Sequence, residues 1–277
     1  MIKLRMFVIF GMLCLASLAY GFAPAGNQPN QSVSVAYYDN DAAMPALLSD
    51  ISTNNPVWQD FQERHGGNWW GQINTLTGQV HRAWGGSVYV GQPSDEAAAA
   101  DLALSFLRSE QRLANVDLGN LSLISAQHHG HHWFVNFRQT LNGLEIYGSL
   151  VSIRISDAGN VVLFGCDSYP AVNISTIPTL SKQAAISSAM TGISLDSNDK
   201  TTEPQLVIFP IPGEEQFNYY LAYQMEVTTI QPGHWLVVVD ANTGVLLYRR
   251  DLIYYYNDSG FSTRAGADIS HWMLPIR

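Results

Sequence analysis

The chain has 277 residues, 14 basic and 23 acidic, for a formal net charge of −9, and only 13% of its residues are charged. That acidic balance makes nucleic acid and anionic lipid poor partners, and so low a charge content suits an extracellular β-rich protein better than a cytosolic helical one. The two cysteines, Cys14 and Cys166, are split between an apolar leader and the body of the chain, so no intramolecular disulfide is left to the body and its stability must come from packing.

At the amino terminus, Lys3 and Arg5 precede an apolar run over residues 6–18. The run is too short to span a bilayer and has the character of a signal-peptide core, which predicts secretion. Cleavage after Gly21 or after Ala23 satisfies the small-residue rule, and Ala23 is preferred, so residues 1–23 are assigned to the signal segment. Its removal leaves 12 basic residues against 23 acidic ones, a formal −11. Cys14 reads as a signal-segment cysteine and Cys166 as a buried strand cysteine. Residues 24–50, rich in Asn, Gln, Ser and Pro with one short apolar segment at 33–38, read as a flexible leader.

The first helix is expected from Asn55 as cap and Pro56 as first helical residue, with Trp58, Phe61 and Gln62 along one side and a stop at Gly66. A stronger one follows Pro93, where Ser94 is the expected cap, Asp95 and Glu96 occupy the positive first turn, and Ala98, Leu102, Phe106 and Leu113 form the packing face. A third begins at Ser181, buries Ala185, Ile186, Ala189 and Met190, and ends at Gly192.

Between the helices, three alternating segments run into glycine-containing tight turns: 70–84 at Thr77-Gly78, 151–164 at Ala158-Gly159, and 235–248 at Thr243-Gly244. Trp70, Trp133 and Trp235 alternate with apolar neighbours on these or adjoining strands and are expected in the core. Runs of strands broken by a few helices predict an α+β fold with helices packed on antiparallel sheets. The Ser, Thr, Ile and Pro mixture of 171–179 reads as a connection between two lobes.

The segment His131-His132-Trp133-Phe134-Val135-Asn136-Phe137-Arg138-Gln139-Thr140-Leu141-Asn142-Gly143-Leu144-Glu145-Ile146-Tyr147-Gly148-Ser149, followed by a strand and the Asp157-Ala158-Gly159-Asn160 turn, resembles the FTP motif of fungalysin and thermolysin propeptides. Gln139, Asn142, Gly143, Ile146 and Gly148 stand where that pattern places them, while Glu145 replaces the family's usual proline. Further on, a helix with Ala184-Ala185, a strand over 219–227 and the string His234-Trp235-Leu236-Val237-Val238-Val239-Asp240-Ala241-Asn242-Thr243-Gly244 resemble a PepSY domain, the second module of many such propeptides. The two resemblances span roughly residues 59–256. They imply an FTP-type lobe over 51–172 and a PepSY-like lobe over 178–256, each an antiparallel sheet with packed helices. From the residues alone, Asp240 suits hydrogen bonding to amides of its own turn, and Asn142-Gly143 suits a two-residue hairpin turn.

A zinc protease of the resembled families needs a helical His-Glu-x-x-His, which is absent from the sequence. The dense histidine string His128-His129-Gly130-His131-His132, taken as a continuous strand, would place His129 and His131 on one face and His128 and His132 on the other, two metal ligands at most per face. Gly-x-Ser-x-Gly and phosphate-binding glycine loops are also missing, and Glu214-Glu215 reads as a solvated turn. No catalytic residue, metal ligand or cofactor site is therefore assigned. The resemblance implies a secreted, non-catalytic module that assists the folding of a zinc metalloprotease domain and inhibits it, in cis or in trans, with no membrane partner after signal cleavage. Tyr254, Tyr255 and Tyr256, leaving the last strand, are the candidate protease contacts. Two alternatives stand beside this: a truncated protease precursor, and a free-standing extracellular binding or inhibitor module. Residues 257–277 show neither strand alternation nor a helical stripe and read as an unstructured tail that is truncated or out of frame.

Overall fold

Local chemistry starts each of the three expected helices where the sequence places a cap, with one adjustment. The computed structural model describes residues 47–193, 200–229 and 233–252, with Tyr255–Tyr256 and Ser262–Thr263 in addition. The expected signal segment with Cys14, the leader up to residue 46, Tyr254, and most of the tail beyond 257 lie outside the described residues. In α1 (Pro56–His65), Asn55 Oδ1 accepts from the backbone N–H groups of Val57 and Trp58, and the helix stops at Gly66 at φ 86°. In α2 (Glu96–Ser109) the cap is Asp95, not Ser94: Asp95 Oδ1 accepts from Ala98 N–H at 2.8 Å, which also holds its carboxyl below the usual range. The carboxylate outcompetes the neighbouring hydroxyl because the acceptor is charged.

The buried face of α2 is Ala99, Ala100, Ala103, Phe106 and Leu107, rotated by about one residue from the expected one, with Leu102 packed at its margin. Its alanines let the helix lie close to the sheet. The helix breaks at Glu110, so Leu113 belongs to a separate turn, α3 (Gln111–Ala114). Glu110 explains the break: its side chain is 1% exposed and receives Arg64 of α1 through two bonds of 2.7 and 2.9 Å, with His65 Nε2 at 2.9 Å. In α4 (Lys182–Ala189), Ser181 Oγ accepts from Ala184 N–H, and Ala185 and Ala189 are fully buried.

Apart from one two-residue ribbon, the described strands form two antiparallel sheets, so the fold is β-rich α+β. The larger sheet contains β1 (Leu48–Asp50), β2 (Trp70–Asn74), β3 (Val80–Tyr89), β4 (Leu121–His129), β5 (His132–Leu141), β6 (Leu144–Glu145), β7 (Leu150–Ser156) and β8 (Asn160–Asp167), in the spatial order β1-β2-β3-β8-β7-β5-β4 with β6 paired to β5. The smaller contains β9 (Lys200–Thr201), β10 (Gln205–Pro212), β11 (Phe217–Thr229), β12 (Gly233–Asp240) and β13 (Leu246–Asp251), ordered β10-β11-β12-β13 with β9 beside β11. All three expected hairpins are present, with Gly78, Gly159 and Gly244 at φ between 71° and 82°. Tyr255–Tyr256 (β14) pairs antiparallel with Ser262–Thr263 (β15), two residues of the stretch expected to lack structure. The chain from 168 to 180 runs without helix or strand between the sheets. The sheets meet where Ile146 forms a parallel bridge to Ile208, both fully buried, and Tyr147 N–H donates to Ile208 O at 2.8 Å.

Among the described residues, the core of the larger sheet lies on one face. Phe61, Trp69, Phe106 and Phe164 form its aromatic centre, with ring centroids 5.1 to 5.6 Å apart along the chain of contacts through Phe61 and Phe164. Here the expectation for tryptophan fails: Trp69 is buried and Trp70 is 70% exposed. Alternation puts only one of the pair inside, and glycine decides which. A Cβ at Gly86 would stand 2.2 Å from Trp69 Nε1, so the indole occupies space that any other residue would fill.

Candidate functional site

Because the described helices pack on the Ala83, Val135, Ile153 and Phe164 face, the opposite face of the larger sheet carries the residues one position away. The register links Trp70 to Trp84, Trp84 to Leu163, Leu163 to Arg154, Arg154 to Phe134, and Phe134 to Gln127. These six residues therefore form one row across six strands, about 24 Å long at the usual interstrand spacing. Trp70 and Gln127, at its two ends, are exposed, and the four residues between them are partly buried. Beside the row runs a polar one, in which Ser152 Oγ donates to Asn136 Oδ1 at 2.9 Å and Asn136 Nδ2 donates to Ser125 Oγ at 3.1 Å. Arg82 lies over Gly165 in this second row and pairs with Asp167 at 2.9 Å; at the sheet's far end Arg138 pairs with Glu145 at 2.6 Å. A large aromatic and aliphatic row on an open sheet face, rimmed by satisfied polar groups, has the anatomy of a protein-docking surface.

The motif residues singled out in the sequence do structural work. Gln139 is buried, and its side-chain amide pairs with the backbone of Tyr169 in both directions: Nε2 donates to Tyr169 O at 2.8 Å and Oε1 accepts from Tyr169 N–H at 2.7 Å. Asn142 at φ 50° and Gly143 at φ 82° make the tight turn into β6, and Gly148 at φ 76° reverses the chain into β7. Asp240 Oδ1 accepts from Asn242 N–H and Thr243 N–H at 2.8 and 2.7 Å, while Gly244 N–H donates to Asp240 O. This turn docks on α4 at two points: Leu180 N–H, just before the helix, donates to Ala241 O, and a Cβ at Gly244 would meet Ser188 Oγ, in its last turn, at 3.1 Å. Trp235 and Trp133 pack partly buried at the margins of the two cores. Of the three candidate contact tyrosines, Tyr255 and Tyr256 lie in β14.

The histidine string is not one strand. Gly130 and His131 form the tip of the β4–β5 hairpin, so the expected alternation is broken, and His128 and His131 approach the same carboxylate: His128 Nε2 is 2.7 Å from Asp157 Oδ1, and His131 Nδ1 is 3.4 Å from Asp157 Oδ2. These contacts lower the Asp157 pKa. Asp157 comes from the β7–β8 turn, a neighbour that strand parity alone does not bring to the string. Burial pushes the Cys166 thiol up to about 12, which leaves it protonated and unreactive at neutral pH. A cavity of about 640 Å³ opens between the loops at 115–120 and 168–172. Among the described residues its lining has one carboxylate, Asp117, and neither histidine, cysteine nor lysine. Asp117 is already committed to Gly119 N–H and Asn120 Nδ2, and Gln139 to Tyr169, so no acid–base pair faces the cavity. Among the described residues no helix is long and apolar enough to cross a membrane, and no group of three or more His, Cys, Asp or Glu side chains is gathered as for a metal ion.

No family model matches the sequence. Over 147 residues the chain is 26% identical to the thermostable neutral protease NprT of Geobacillus stearothermophilus, a match that takes in 49% of this chain and 26% of that protein. The chain thus spans about a quarter of the length of this curated relative. Among solved structures, the C-terminal domain of Bacillus megaterium YpeB aligns with a TM-score of 0.34 at 19% identity, over 68% of this chain and 77% of that one.

Proposed function

We propose that the chain is a secreted, non-catalytic, propeptide-like module that binds a zinc metalloprotease, assists its folding and inhibits it. The observation that carries this reading is the sequence similarity to part of a neutral protease. Two features of the chain support it. The sequence lacks His-Glu-x-x-His, and the open sheet face presents the kind of surface that a protein partner buries. In this reading the larger sheet with α1 to α3 is the FTP-type lobe, the smaller sheet with α4 is the PepSY-like lobe, and Tyr254 to Tyr256 form a second contact region. Linked to its target, such a module acts at high effective concentration, so modest contacts suffice for inhibition; added in trans, it must rely on the surface alone.

The test is a titration of the purified chain into a neutral zinc metalloprotease such as the Geobacillus enzyme, following residual hydrolysis of a peptide substrate. Saturable inhibition is expected, together with improved recovery of active protease when the denatured catalytic domain is refolded in the presence of the chain. A flat titration into the high micromolar range, with no gain in refolding, refutes the reading.

A further inference from the structure

We infer that Arg154 anchors the docking surface by receiving a carboxylate of the protein partner, an Asp or Glu side chain flanked by apolar groups that settle on Trp84, Leu163 and Phe134. The inference rests on the propeptide-like reading for the partner's identity, and on the sheet register for the chemistry.

Arg154 is the one cation in the cross-strand row, with Leu163 beside it on β8 and Phe134 beside it on β5. Its guanidinium carbon stands 4.6 Å from the centroid of the Phe134 ring, so the aromatic face already positions the cation. Its Nε is buried without a hydrogen-bond partner. The other two arginines of this face are each satisfied by an acid, Arg82 by Asp167 and Arg138 by Glu145, whereas no carboxylate pairs with Arg154 among the described residues. The nearest candidate in sequence, Asp157, is engaged by His128 and His131. His132, whose protonation is disfavoured by burial first and by the Arg154 charge second, adds no negative charge.

A guanidinium keeps its charge at neutral pH even when partly desolvated, so this row holds a cation whose terminal N–H groups, unlike the buried Nε, are left to meet a planar oxyanion from outside. In a chain of net charge −9, an acidic partner is repelled by most of the surface. A single cation inside an apolar row fixes where, and in which orientation, such a partner settles, because a carboxylate buried anywhere else on the row would lose its water with no charge to meet it.

Two arms test this. In the first, full-length wild-type chain and the Arg154→Gln, Arg154→Lys and Arg138→Gln variants are titrated into the neutral protease. Arg154→Gln is expected to weaken binding by at least about tenfold, chiefly through faster dissociation, and Arg154→Lys by less, while Arg138→Gln stays within about twofold. Equal affinity of Arg154→Gln and wild type overturns the inference, and leaves the propeptide-like reading standing if wild type still inhibits. The second arm needs no protease: acetyl-Leu-Glu-Leu-amide and its Gln counterpart are titrated while the Trp84 indole N–H resonance is followed. Preferential binding of the Glu peptide, abolished in Arg154→Gln with an unchanged melting midpoint, supports the carboxylate site even if the protease proves the wrong partner. Indistinguishable shifts with the two peptides refute it.

Discussion

Gln139 and Tyr169 exchange two hydrogen bonds, side-chain amide to main chain, across 30 residues of sequence. The amide imitates a strand partner at the point where the chain leaves the larger sheet. Replacing Gln139 with Leu strands a buried N–H and a buried C=O, at a cost of about 1–3 kcal/mol for each group left unsatisfied. A total loss of about 2–4 kcal/mol is expected, read as a lower urea midpoint with an unchanged slope; a midpoint equal to wild type contradicts the pairing.

Three turn glycines separate conformational strain from collision. A Cβ at Gly143 meets nothing within 4 Å, so Gly143→Ala carries only the strain of positive φ, about 1 kcal/mol. At Gly244 the same strain is joined by Ser188 Oγ at 3.1 Å, and at Gly159 a Cβ would stand 2.6 Å from the carbonyl of Gly91, which is backbone and cannot rotate away. Melting temperatures of the three alanine variants should fall in the order Gly143, Gly244, Gly159, with the last losing about 3 kcal/mol or more. Any other order would show that the β7–β8 turn does not press on the strand-end loop at Gly91.

Burial alone would raise the Glu110 pKa, but hydrogen bonds from Arg64 and His65, reinforced by the Arg64 charge, outweigh it and hold the group below its ordinary value of 4.5. A depressed folded pKa means that the carboxylate's contribution is complete at neutral pH and is lost as pH falls through the ordinary value and below. Arg64 is 43% exposed, so solvent screening keeps that contribution modest, about 1–3 kcal/mol. Glu110→Gln should therefore be less stable than wild type at pH 7, with the gap closing toward pH 3. Denaturant midpoints at the two pH values check this, and a gap that stays constant argues against the assigned ion pair.

The purified chain should not hydrolyse casein with zinc and calcium supplied, since two imidazoles one helical turn apart, with a glutamate to activate water, are missing from its sequence. Chelator-sensitive hydrolysis that co-purifies with the chain through two orthogonal columns would overturn the non-catalytic assignment.

Much of the local architecture is readable in the sequence because it depends on neighbours in the chain. Asn55-Pro56, Ser181, the three Gly turns and the Asp240 turn are all short-range hydrogen-bond devices, and each is found where its spacing places it. Features that depend on phase or distant register are not readable this way. Trp69 and Trp70 are equivalent until Gly86, more than a dozen residues on, leaves room for one indole. The end of α2, which puts Leu113 in a separate turn, coincides with Glu110 meeting Arg64 of another helix. The row from Trp70 to Gln127 joins six strands, and a one-residue slip in any of them would bury part of it. Arg154 in particular has no local signature, since the acids that satisfy Arg82 and Arg138, and leave it apart, are known only once the sheet is assembled.

The bridge between Ile146 and Ile208 couples the two sheets through their backbones. The Tyr147 amide that donates to Ile208 O can exchange with deuterium only when the two ladders separate at this rung. If the sheets come apart before either melts, Tyr147 exchanges faster than amides at the centre of β5 and β11; if the protein unfolds in one cooperative step, all three share one protection factor. A single amide thus measures how firmly one sheet is held to the other, and the stiffness of that hinge sets how closely the open face and the last strands keep a common orientation toward anything they bind.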